Sequence, residues 1–336
     1  MRENKKFSVV VPVYNGEKYI QRSMMSIINQ TCSNWELIII NDGSKDNTAK
    51  VVQEIINKHK DKSIIYEEIS NSGPSTARNK GMAIAKGDFV CFLDSDDEYD
   101  VTLFEKLEKL TCDFDICFFG WKEIFSNNTQ KLYTESYSFI DEDNGINVVR
   151  KKFNREVWLC NCNEIYRTKF LKENEIHYPE GVYAGEDACF IYTALLNAKK
   201  VVSLKENLFL NYIRENSLMR SKVSERDLTE FTALAELIKN ITYSKNLNEE
   251  EKTEFVQMFL AYKDYVKIAI SKKLINEFSF WQYFKFRRKQ KNLLKDYKIN
   301  LKNIKKFLIG RFYKQALIYK FCPILFFIIC KKYKRK

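Results

Sequence analysis

The sequence lacks the patterns that define small zinc-binding and disulfide-rich domains. Its nine cysteines form no Cys-x-x-Cys pair, and Cys160 and Cys162 are separated by a single residue, a poor spacing for zinc. There are only two histidines, and we interpret His177 as a loop residue, not as a metal ligand. These absences argue against a zinc module and favour reduced cysteines that act as small apolar side chains in a cytoplasmic protein.

Three other signals are also missing. The most apolar segment, Phe321 to Cys330, has ten residues and is too short to cross a bilayer, which takes about 20. The N-terminal residues, MRENKK, precede a short apolar run with no cleavage site, so no signal peptide is expected. No Gly-rich phosphate loop of the P-loop or dinucleotide-binding type occurs. A bound phosphate would therefore be neutralised mainly by a metal ion and by arginine.

What is present predicts a folded protein with an uneven charge. The 336 residues are 45% hydrophobic, which suits about two domains and a sizeable core. Residues 278–336 contain 18 Lys or Arg against one acid, Asp296, a net charge of +17, whereas residues 1–277 have a net charge of −5. A basic tail on a mildly acidic body suggests contact with an anionic surface, either nucleic acid or membrane.

The first hundred residues alternate between strand and helix patterns. Apolar runs predict strands at 7–13, 35–40, 63–69 and 89–93. Between them lie helical patterns: the first would be capped by Asn15 and bury Ile20 and Met24, the second would be capped by Asp46 or Asn47, and the third, Ser75 to Lys86, would end at Gly87. This β-α-β-α-β-α-β order predicts a parallel sheet with right-handed crossovers.

The later residues follow less regular patterns. We expect a helix at 101–110, a strand at 114–121, a weak exposed strand at 131–139, a helix at 188–197 and a strand at 201–212. From about Glu225 the chain is predicted to be wholly helical. We therefore predict an α/β domain at 1–220 and a helical region at 221–336 with a basic amphipathic tail.

Residues 88–97, DFVCFLDSDD, join a buried strand to a carboxylate cluster. The apolar run ends in Asp94, Asp96 and Asp97, at the end of the strand where open α/β sheets bind ligands. Clustered carboxylates repel one another unless a cation lies among them, and hard oxygen ligands suit Mg²⁺ or Mn²⁺. Mg²⁺ usually keeps water and substrate phosphate in its coordination shell. The segment predicts a metal-assisted site for a diphosphate-bearing substrate.

The four strand-to-helix junctions would lie together on one edge of a parallel sheet. Asp42 could accept a hydrogen bond from a base or a ribose hydroxyl, and Arg78 could pair with phosphate or hold a carboxylate in place. Each alone has an ordinary explanation, since Asp-Gly is a turn and Asn15 a helix cap. Their convergence on one edge favours a binding site. The junctions are residues 12–15, 41–44, 71–78 and 94–97.

These motifs together resemble a known family. The segments VVVPVYNGEKYI, ELIIINDGSKDNT and NSGPSTARNKGMAIAKGDFVCFLDSDDEYD, followed by GEDACF and YIRENSLMR, are similar to family 2 glycosyltransferases of the bacterial surface-polysaccharide type, over roughly residues 7–220. The resemblance implies the GT-A fold, a Rossmann-like, mixed but mainly parallel sheet flanked by helices. It also implies a nucleotide-sugar donor bound by residues 1–115 and an acceptor bound by residues 116–220.

The resemblance also assigns roles to residues of the first half. Asp94 and Asp96 match the family's DxD motif and would hold Mn²⁺ or Mg²⁺, with Asp96 the direct ligand and Asp97 a turn or supporting acid. The donor would be bound by Pro12, Tyr14, Asp42, Arg78 and Asp94.

In the second half, Glu186-Asp187 matches the family's ED motif. By that resemblance Asp187 is the general base of an inverting transfer, and Glu186 orients the acceptor or the base. Without the resemblance, an acid that opens a helix is an ordinary dipole feature. Tyr212 and Arg214 match a looser motif and would close over the donor phosphates or simply end a strand. Glu164 stands where the family often has a lysine.

The basic tail is predicted to meet a membrane. Leu301, Ile304 and Phe312 mark one helical face among lysines, and the apolar run 321–330 is followed by KKYKRK. Such segments lie in the interface of anionic bilayers; the alternative is a helix docked on the catalytic body. No nucleic acid is expected, because no recognition motif accompanies the charge. The protein would be cytoplasmic and peripheral at the inner face of the plasma membrane. The sequence leaves open whether it forms a homo-oligomer.

The most specific hypothesis is a metal-dependent inverting glycosyltransferase. It would move a hexose or N-acetylhexosamine from a nucleotide sugar, UDP-linked, to a lipid-linked glycan of the cell surface. One alternative, a sugar-1-phosphate nucleotidyltransferase, would need a basic Gly-rich loop where this chain has Pro12-Val13-Tyr14-Asn15. The other, a non-catalytic membrane-bound interaction protein with a residual nucleotide pocket, is disfavoured by the presence of Asp94, Asp96 and Asp187.

Overall fold

The computed structural model describes residues 5–127, 129–213, 224–289, 300–307 and 311–333. The chain forms two compact units. The first comprises Met1–Gly181 and Glu186–Ser217, and the second comprises Val182–Gly185 and Leu218–Lys336.

The described part of the first unit contains ten strands and seven α-helices. In chain order they are β1 (Phe7–Val13), α1 (Ile20–Ile28), β2 (Trp35–Asn41), α2 (Thr48–Lys58), β3 (Ile64–Glu68), α3 (Pro74–Ile84), β4 (Phe89–Phe92), β5 (Glu98–Tyr99), α4 (Leu103–Glu108), β6 (Ile116–Ile124), β7 (Gln130–Leu132), β8 (Glu142–Asp143), α5 (Gly145–Phe153), β9 (Glu164–Arg167), α6 (Thr168–Glu173), α7 (Glu186–Asn197) and β10 (Val201–Tyr212).

The strands form one mixed sheet in the order β3-β2-β1-β4-β9-β6-β10-β5, with β7 beside β6 and β8 beside β10. Strands β1, β2, β3 and β4 pair in parallel, as do β6 and β10. Strand β9 is antiparallel to both of its neighbours, β4 and β6. Every parallel pairing is longer than any antiparallel one, so the predicted mixed, mainly parallel sheet is confirmed.

The central strands are apolar because helices cover both faces of this kind of sheet. All seven residues of β2 are buried, and so are all four of β4. Continuous Val- and Ile-rich runs are typical of such doubly covered strands. Helix α1 buries Ile20 and Met24, as its periodicity predicts. The core of the first unit therefore lies along β1, β2 and β4, whose ends carry the candidate site.

Two predictions about helix ends are wrong. Asn15 does not cap α1: the residue before the helix is Tyr19, and Asn15 has a left-handed backbone with φ +51°. Gly87 does not end α3, which stops at Ile84. A Cβ on Gly87 would lie 2.7 Å from the backbone nitrogen of Ser8, so this glycine permits a close approach to β1.

The predicted exposed strand at 131–139 is also wrong beyond its first residues. Strand β7 ends at Leu132, and a 3₁₀ turn follows at Tyr133–Glu135. Tyr133 is fully buried, with its ring stacked 5.0 Å from that of Phe139. Burial of aromatic side chains decides this segment, where alternation of polar and apolar residues is weak.

In the described residues of the second unit all regular secondary structure is helical. Within the described part of this unit, a 3₁₀ turn at Glu225–Thr229 precedes six α-helices, and the backbone nitrogens of Tyr183 and Ala184 both donate to the hydroxyl of Thr229. Residues 308–310 lie outside the described residues, so the predicted single face from Leu301 to Phe312 is seen only in part. The helices are α8 (Glu230–Tyr243), α9 (Glu249–Glu277), α10 (Phe280–Lys289), α11 (Leu301–Phe307), α12 (Arg311–Phe321) and α13 (Pro323–Tyr333).

The long helix α9 organises this unit. Its N-terminus is closed by a capping box, in which Asn248 accepts from the backbone of Glu251 and Glu251 accepts from that of Asn248. Further along, the Ser271 hydroxyl donates to Tyr319 of α12 over 3.1 Å. None of the described helices is both long and apolar enough to span a bilayer.

Candidate active site

The carboxyl ends of β1, β2 and β4 bring the predicted donor residues to one edge. Strand β1 is parallel to both neighbours, with Val13 opposite Asn41 and Val10 opposite Phe92. The residues that follow these strands, Tyr14 and Asp94 among them, therefore emerge on the same side. Tyr14 is half exposed, as a residue that contacts a ligand would be.

Asp42 holds the loop that leads into α3. It is buried, and its two carboxylate oxygens accept from the backbone nitrogens of Ser72 (2.7 Å) and Gly73 (2.9 Å). Gly73 has φ +92°, which favours glycine, and Pro74 begins the helix. Asp42 thus fixes the start of the helix that carries Arg78. Contact between Asp42 and the nucleoside of the donor stays a prediction.

The loops after β1 and β2 are tied to each other. The Asn15 side chain accepts from the backbone nitrogen of Lys45 (2.7 Å), and its own backbone nitrogen donates to the Ser44 hydroxyl (2.9 Å). The backbone nitrogen of Gly16 donates to Thr48 (2.9 Å). Pro12, near the end of β1, lies opposite Ile40 of β2. The sequence analysis did not assign this bracing role to Asn15, because it depends on a residue 30 positions away.

Arg78 lies at the centre of the site. Its guanidinium is buried and donates to Asp94 (3.1 Å) and to Glu186 (3.2 Å), and it stands 5.3 Å from the centre of the Tyr178 ring. Burial alone would lower the pKa of Arg78, but the neighbouring carboxylates outweigh burial and raise it. Arg78 therefore stays charged and joins an acid of the first half of the first unit to one of the second.

The carboxylates after β4 separate into two positions. Oxygens of Asp94 and Asp97 and the sulfur of Cys162 lie within 4.8 Å of one another. Asp97 is buried, and its oxygen accepts from the backbone nitrogen of Tyr212 (2.9 Å). Burial and the charge of Asp94 raise the pKa of Asp97 to about 8. The structure thus groups Asp94 with Asp97, whereas Asp96, whose backbone oxygen accepts from Arg22, is outside that group.

This donor set fits a hard divalent cation. The charge of Asp94 disfavours ionisation of Asp97, and a bound Mg²⁺ or Mn²⁺ would relieve that repulsion. Cys162 is unsuited as a ligand for these ions, and burial raises the pKa of its thiol well above the usual range. The metal would therefore be held by carboxylate oxygens of residues 94–97.

Glu186 and Asp187 form the first turn of α7. The Asp187 carboxylate accepts from the backbone nitrogen of Ala188 (2.7 Å). Burial and the charge of Asp187 raise the pKa of Glu186, while Arg78 opposes the shift. The structure therefore places the predicted base beside the Asp94–Arg78–Glu186 chain of ion pairs.

Two buried ionisable side chains that act on each other near Asp187, Glu164 and Lys152, were not predicted. Glu164 is fully buried and accepts from the hydroxyl of Tyr166. Burial raises its pKa to about 8; the Tyr166 hydroxyl and the charge of Lys152 oppose the shift, and the charge of Asp187 adds to it. Lys152, from α5, donates to the backbone oxygen of Leu159 (2.6 Å). A lysine from another element thus supplies positive charge near Glu164.

Tyr212 lies at the end of β10, close to the acidic segment. Its ring stacks under the guanidinium of Arg22 at 3.6 Å, and Arg22 pairs with Glu98 at 3.3 Å. With the hydrogen bond from its backbone to Asp97, Tyr212 ties the last strand to the carboxylate segment. Arg214 lies outside the described residues. The lid role of both residues stays a prediction.

Comparison with known proteins assigns the class. Residues 8–174 match the family described as glycosyl transferase family 2. The chain is 29% identical over 262 residues to the poly(ribitol-phosphate) beta-N-acetylglucosaminyltransferase TarS of Staphylococcus aureus, covering 76% of this chain and 44% of TarS. It is 27% identical over 237 residues to the glycosyltransferase GlyG of Streptococcus pneumoniae, covering 66% of this chain and 77% of GlyG. The chain thus spans less than half the length of TarS.

Solved structures have the same fold. Residues 1–349 of S. aureus TarS superpose with a TM-score of 0.71 at 21% identity, covering 98% of this chain and 91% of that one. The mannosyltransferase PcManGT of Pyrobaculum calidifontis superposes with a TM-score of 0.54 at 14% identity, covering 96% of this chain and 88% of that one. The fold is therefore of the GT-A type. The family match, together with the motifs, shows that the chain belongs to glycosyltransferase family 2.

Proposed function

We propose that this chain transfers a sugar from a nucleotide-diphosphate sugar to a hydroxyl group of a glycan, with inversion at the anomeric carbon. The observation that carries the proposal is the pairing of Arg78 with both Asp94 and Glu186. Through these two ion pairs, Arg78 joins Asp94, on the side expected to bind the donor, to Glu186 at the start of α7. Family membership supports the class of reaction, and the relatives named above are glycosyltransferases.

Asp187 is the proposed general base. In an inverting transfer the acceptor hydroxyl attacks the anomeric carbon from the side opposite the leaving diphosphate, and a carboxylate takes its proton. The hydrogen bond from Ala188 orients the Asp187 carboxylate. Glu186, held by Arg78, is the proposed orienting group for the acceptor or the base.

The proposed metal is Mn²⁺ or Mg²⁺, held by Asp94 together with Asp96 or Asp97. When bound, it would neutralise charge that develops on the leaving diphosphate. The oxygen donor set supports this proposal, and the PcManGT structure contains GDP-Man and Mn²⁺.

We propose a UDP-linked hexose or N-acetylhexosamine as the donor. Structures of TarS residues 1–349 contain UDP and UDP-GlcNAc. Pro12, Tyr14 and Asp42 lie on the edge where the nucleoside would bind. The proposed acceptor is a lipid-linked glycan of the cell surface, reached from the inner face of the plasma membrane. The name of TarS, a poly(ribitol-phosphate) beta-N-acetylglucosaminyltransferase, supports a polymer as the acceptor. Residues 1–220 are the proposed catalytic domain, and 221–336 the membrane-associating region.

Release of nucleotide diphosphate tests the proposal without knowledge of the acceptor. The protein is incubated with a panel of UDP-, GDP- and dTDP-sugars and Mn²⁺ or Mg²⁺. We expect release from one donor that is lost on chelation and falls about 10²-fold or more in Asp187→Asn. The matched control is Asp61→Asn, since that acid is exposed and forms an ion pair with its sequence neighbour Lys62. Undiminished release by Asp187→Asn would contradict its role as base, and absence of nucleotide binding would contradict the function.

A further inference from the structure

One side of the C-terminal helix is apolar and exposed. Phe321, Ile324, Leu325 and Ile328 are 70%, 53%, 44% and 55% exposed. Their spacing of three and four residues puts them on one side of a helix. Hydrogen bonds from Cys322 to Ile318 and from Phe326 to Cys322 continue the helical pattern from α12 into α13. We call these four side chains the outward face.

The opposite side of α13 is already occupied. Phe326 and Phe327 are buried, and the Phe327 ring lies 5.3 Å from that of Phe280 and 5.6 Å from that of Tyr283, both on α10. Helix α13 therefore contributes to the core of its unit with one side and still presents apolar side chains with the other. A helix that is apolar all round is buried or in contact with lipid. The outward face needs an occupant.

The positive charge around the outward face distinguishes between two possible occupants, a second copy of the chain and a lipid bilayer. Lys320 and Lys332, at the two ends of the outward face, are both exposed. Residues 278–336 contain 18 bases and one acid. A second copy of the chain, bound through the same face, would bring two positively charged rims together, which opposes association. An anionic bilayer offers apolar acyl chains to the outward face and negative headgroups to the lysines.

The length of the helix defines how it would meet the bilayer. Helix α13 has 11 residues and is about 16 Å long, half of the roughly 30 Å hydrocarbon core. It is therefore suited to lie in the interface and not to cross. Trp281 is 80% exposed, and its ring lies 5.4 Å from that of Phe280, which contacts Phe327. Tryptophan is favoured at the headgroup level.

We propose that the outward face binds the surface of an anionic lipid bilayer, with α13 lying in the interface and Trp281 at the level of the headgroups. The proposal gives the predicted membrane partner a defined surface. It does not depend on the proposed glycosyl transfer, because binding is measured without any sugar donor.

The test uses the full chain with two kinds of vesicle, phosphatidylcholine alone and phosphatidylcholine mixed with phosphatidylglycerol. We expect cosedimentation with the anionic vesicles at low salt, weakened at high salt. Quenching by brominated lipids should affect mainly Trp281, since Trp35 and Trp121 are buried and Trp158 is only 39% exposed. In Trp281→Phe the quenching should fall to the level that Trp158 alone gives. Replacing Ile324, Leu325 and Ile328 together by Asn should lower partitioning at least tenfold. These side chains are exposed, so circular dichroism should be unchanged.

The control is Tyr243→Asn, which removes a side chain that is 76% exposed on α8, outside the outward face. It should bind vesicles as the wild type does. Equal binding by the triple variant and the wild type would overturn the proposal, as would absence of binding to anionic vesicles. A dimer that the triple variant alone loses, without vesicle binding, would instead assign the face to a second copy. Binding to RNA that ignores the triple substitution, again without vesicle binding, would assign the charge to nucleic acid.

Discussion

Arg78 donates a hydrogen bond to Glu186, a residue 108 positions later in the chain, over 3.2 Å. The same guanidinium holds Asp94. Helix α3 and helix α7 are thereby joined at the site by one buried cation, so the acids on either side of the site depend on the same side chain. Four predictions follow from this and three other contacts.

Arg78→Lys should abolish activity while the protein remains folded. A lysine keeps the charge but cannot donate to two carboxylates with the forked geometry of a guanidinium. We expect release of nucleotide diphosphate to fall 10²-fold or more. Removing the charge as well, in Arg78→Met, should lower the free energy of unfolding by about 3–5 kcal/mol, because Glu186 loses its buried partner. Arg167→Lys, at a partly exposed ion pair with Asp113, is the control. Near-normal turnover in Arg78→Lys would contradict this account.

Asp42→Asn should cost both stability and donor affinity. The asparagine keeps one acceptor oxygen and loses the other, so either Ser72 or Gly73 loses its hydrogen bond to a charged group, worth about 1.5–3 kcal/mol. The denaturant midpoint should fall with an unchanged m-value, and the Kd for UDP should rise because α3 is less well anchored. Asp42→Ala, which removes both acceptors, should be more damaging than Asp42→Asn. Equal stability of all three proteins would show that the loop does not depend on Asp42.

Glu164→Gln should change how stability depends on pH. The pKa of Glu164 is raised from about 4.5 to about 8 in the folded state. The folded protein thus keeps a proton that the unfolded chain releases, so this group lowers stability progressively as pH rises from 4.5 to 8. The groups acting on it are Tyr166, Lys152 and Asp187.

Glutamine does not titrate, so the variant should lack that loss. Across this window its stability relative to the wild type should increase by up to about 1.4 kcal/mol per pH unit. Urea unfolding at pH 5, 6, 7 and 8 measures the difference. Parallel stability curves for the two proteins would contradict the raised pKa.

Gly87→Ala should destabilise the first unit through a steric clash. The added Cβ would lie 2.7 Å from the backbone nitrogen of Ser8 and 2.9 Å from the backbone oxygen of Lys6. Overpacking against backbone costs about 1–3 kcal/mol. Gly181→Ala is the matched control, because nothing lies within 4 Å of its Cβ position. In that control only the left-handed backbone at φ +71° is unfavourable for alanine, and it destabilises the protein by about 1 kcal/mol. Thermal unfolding of both variants should rank Gly87→Ala as the less stable.

Much of the first unit could be predicted from local patterns. Short Val- and Ile-rich runs separated by turn residues indicate β1 to β4, and the rule that parallel strands end on one edge brings Asp42 and Asp94 together. Position 15 shows where this reasoning fails. Asparagine is favoured both as a helix cap and in left-handed turns, and the contact with Lys45 selects the turn.

The amino-acid sequence by itself determined the βα order, the edge that carries the acids, the family and the basic tail, because these follow from side-chain periodicity, motif spacing and charge along the chain. Only the tertiary structure placed β9 between β4 and β6, grouped Asp94 with Asp97, and brought Lys152 to act on Glu164. These relationships depend on packing between segments distant in the chain. Local pattern does not encode which distant side chain fills a given space.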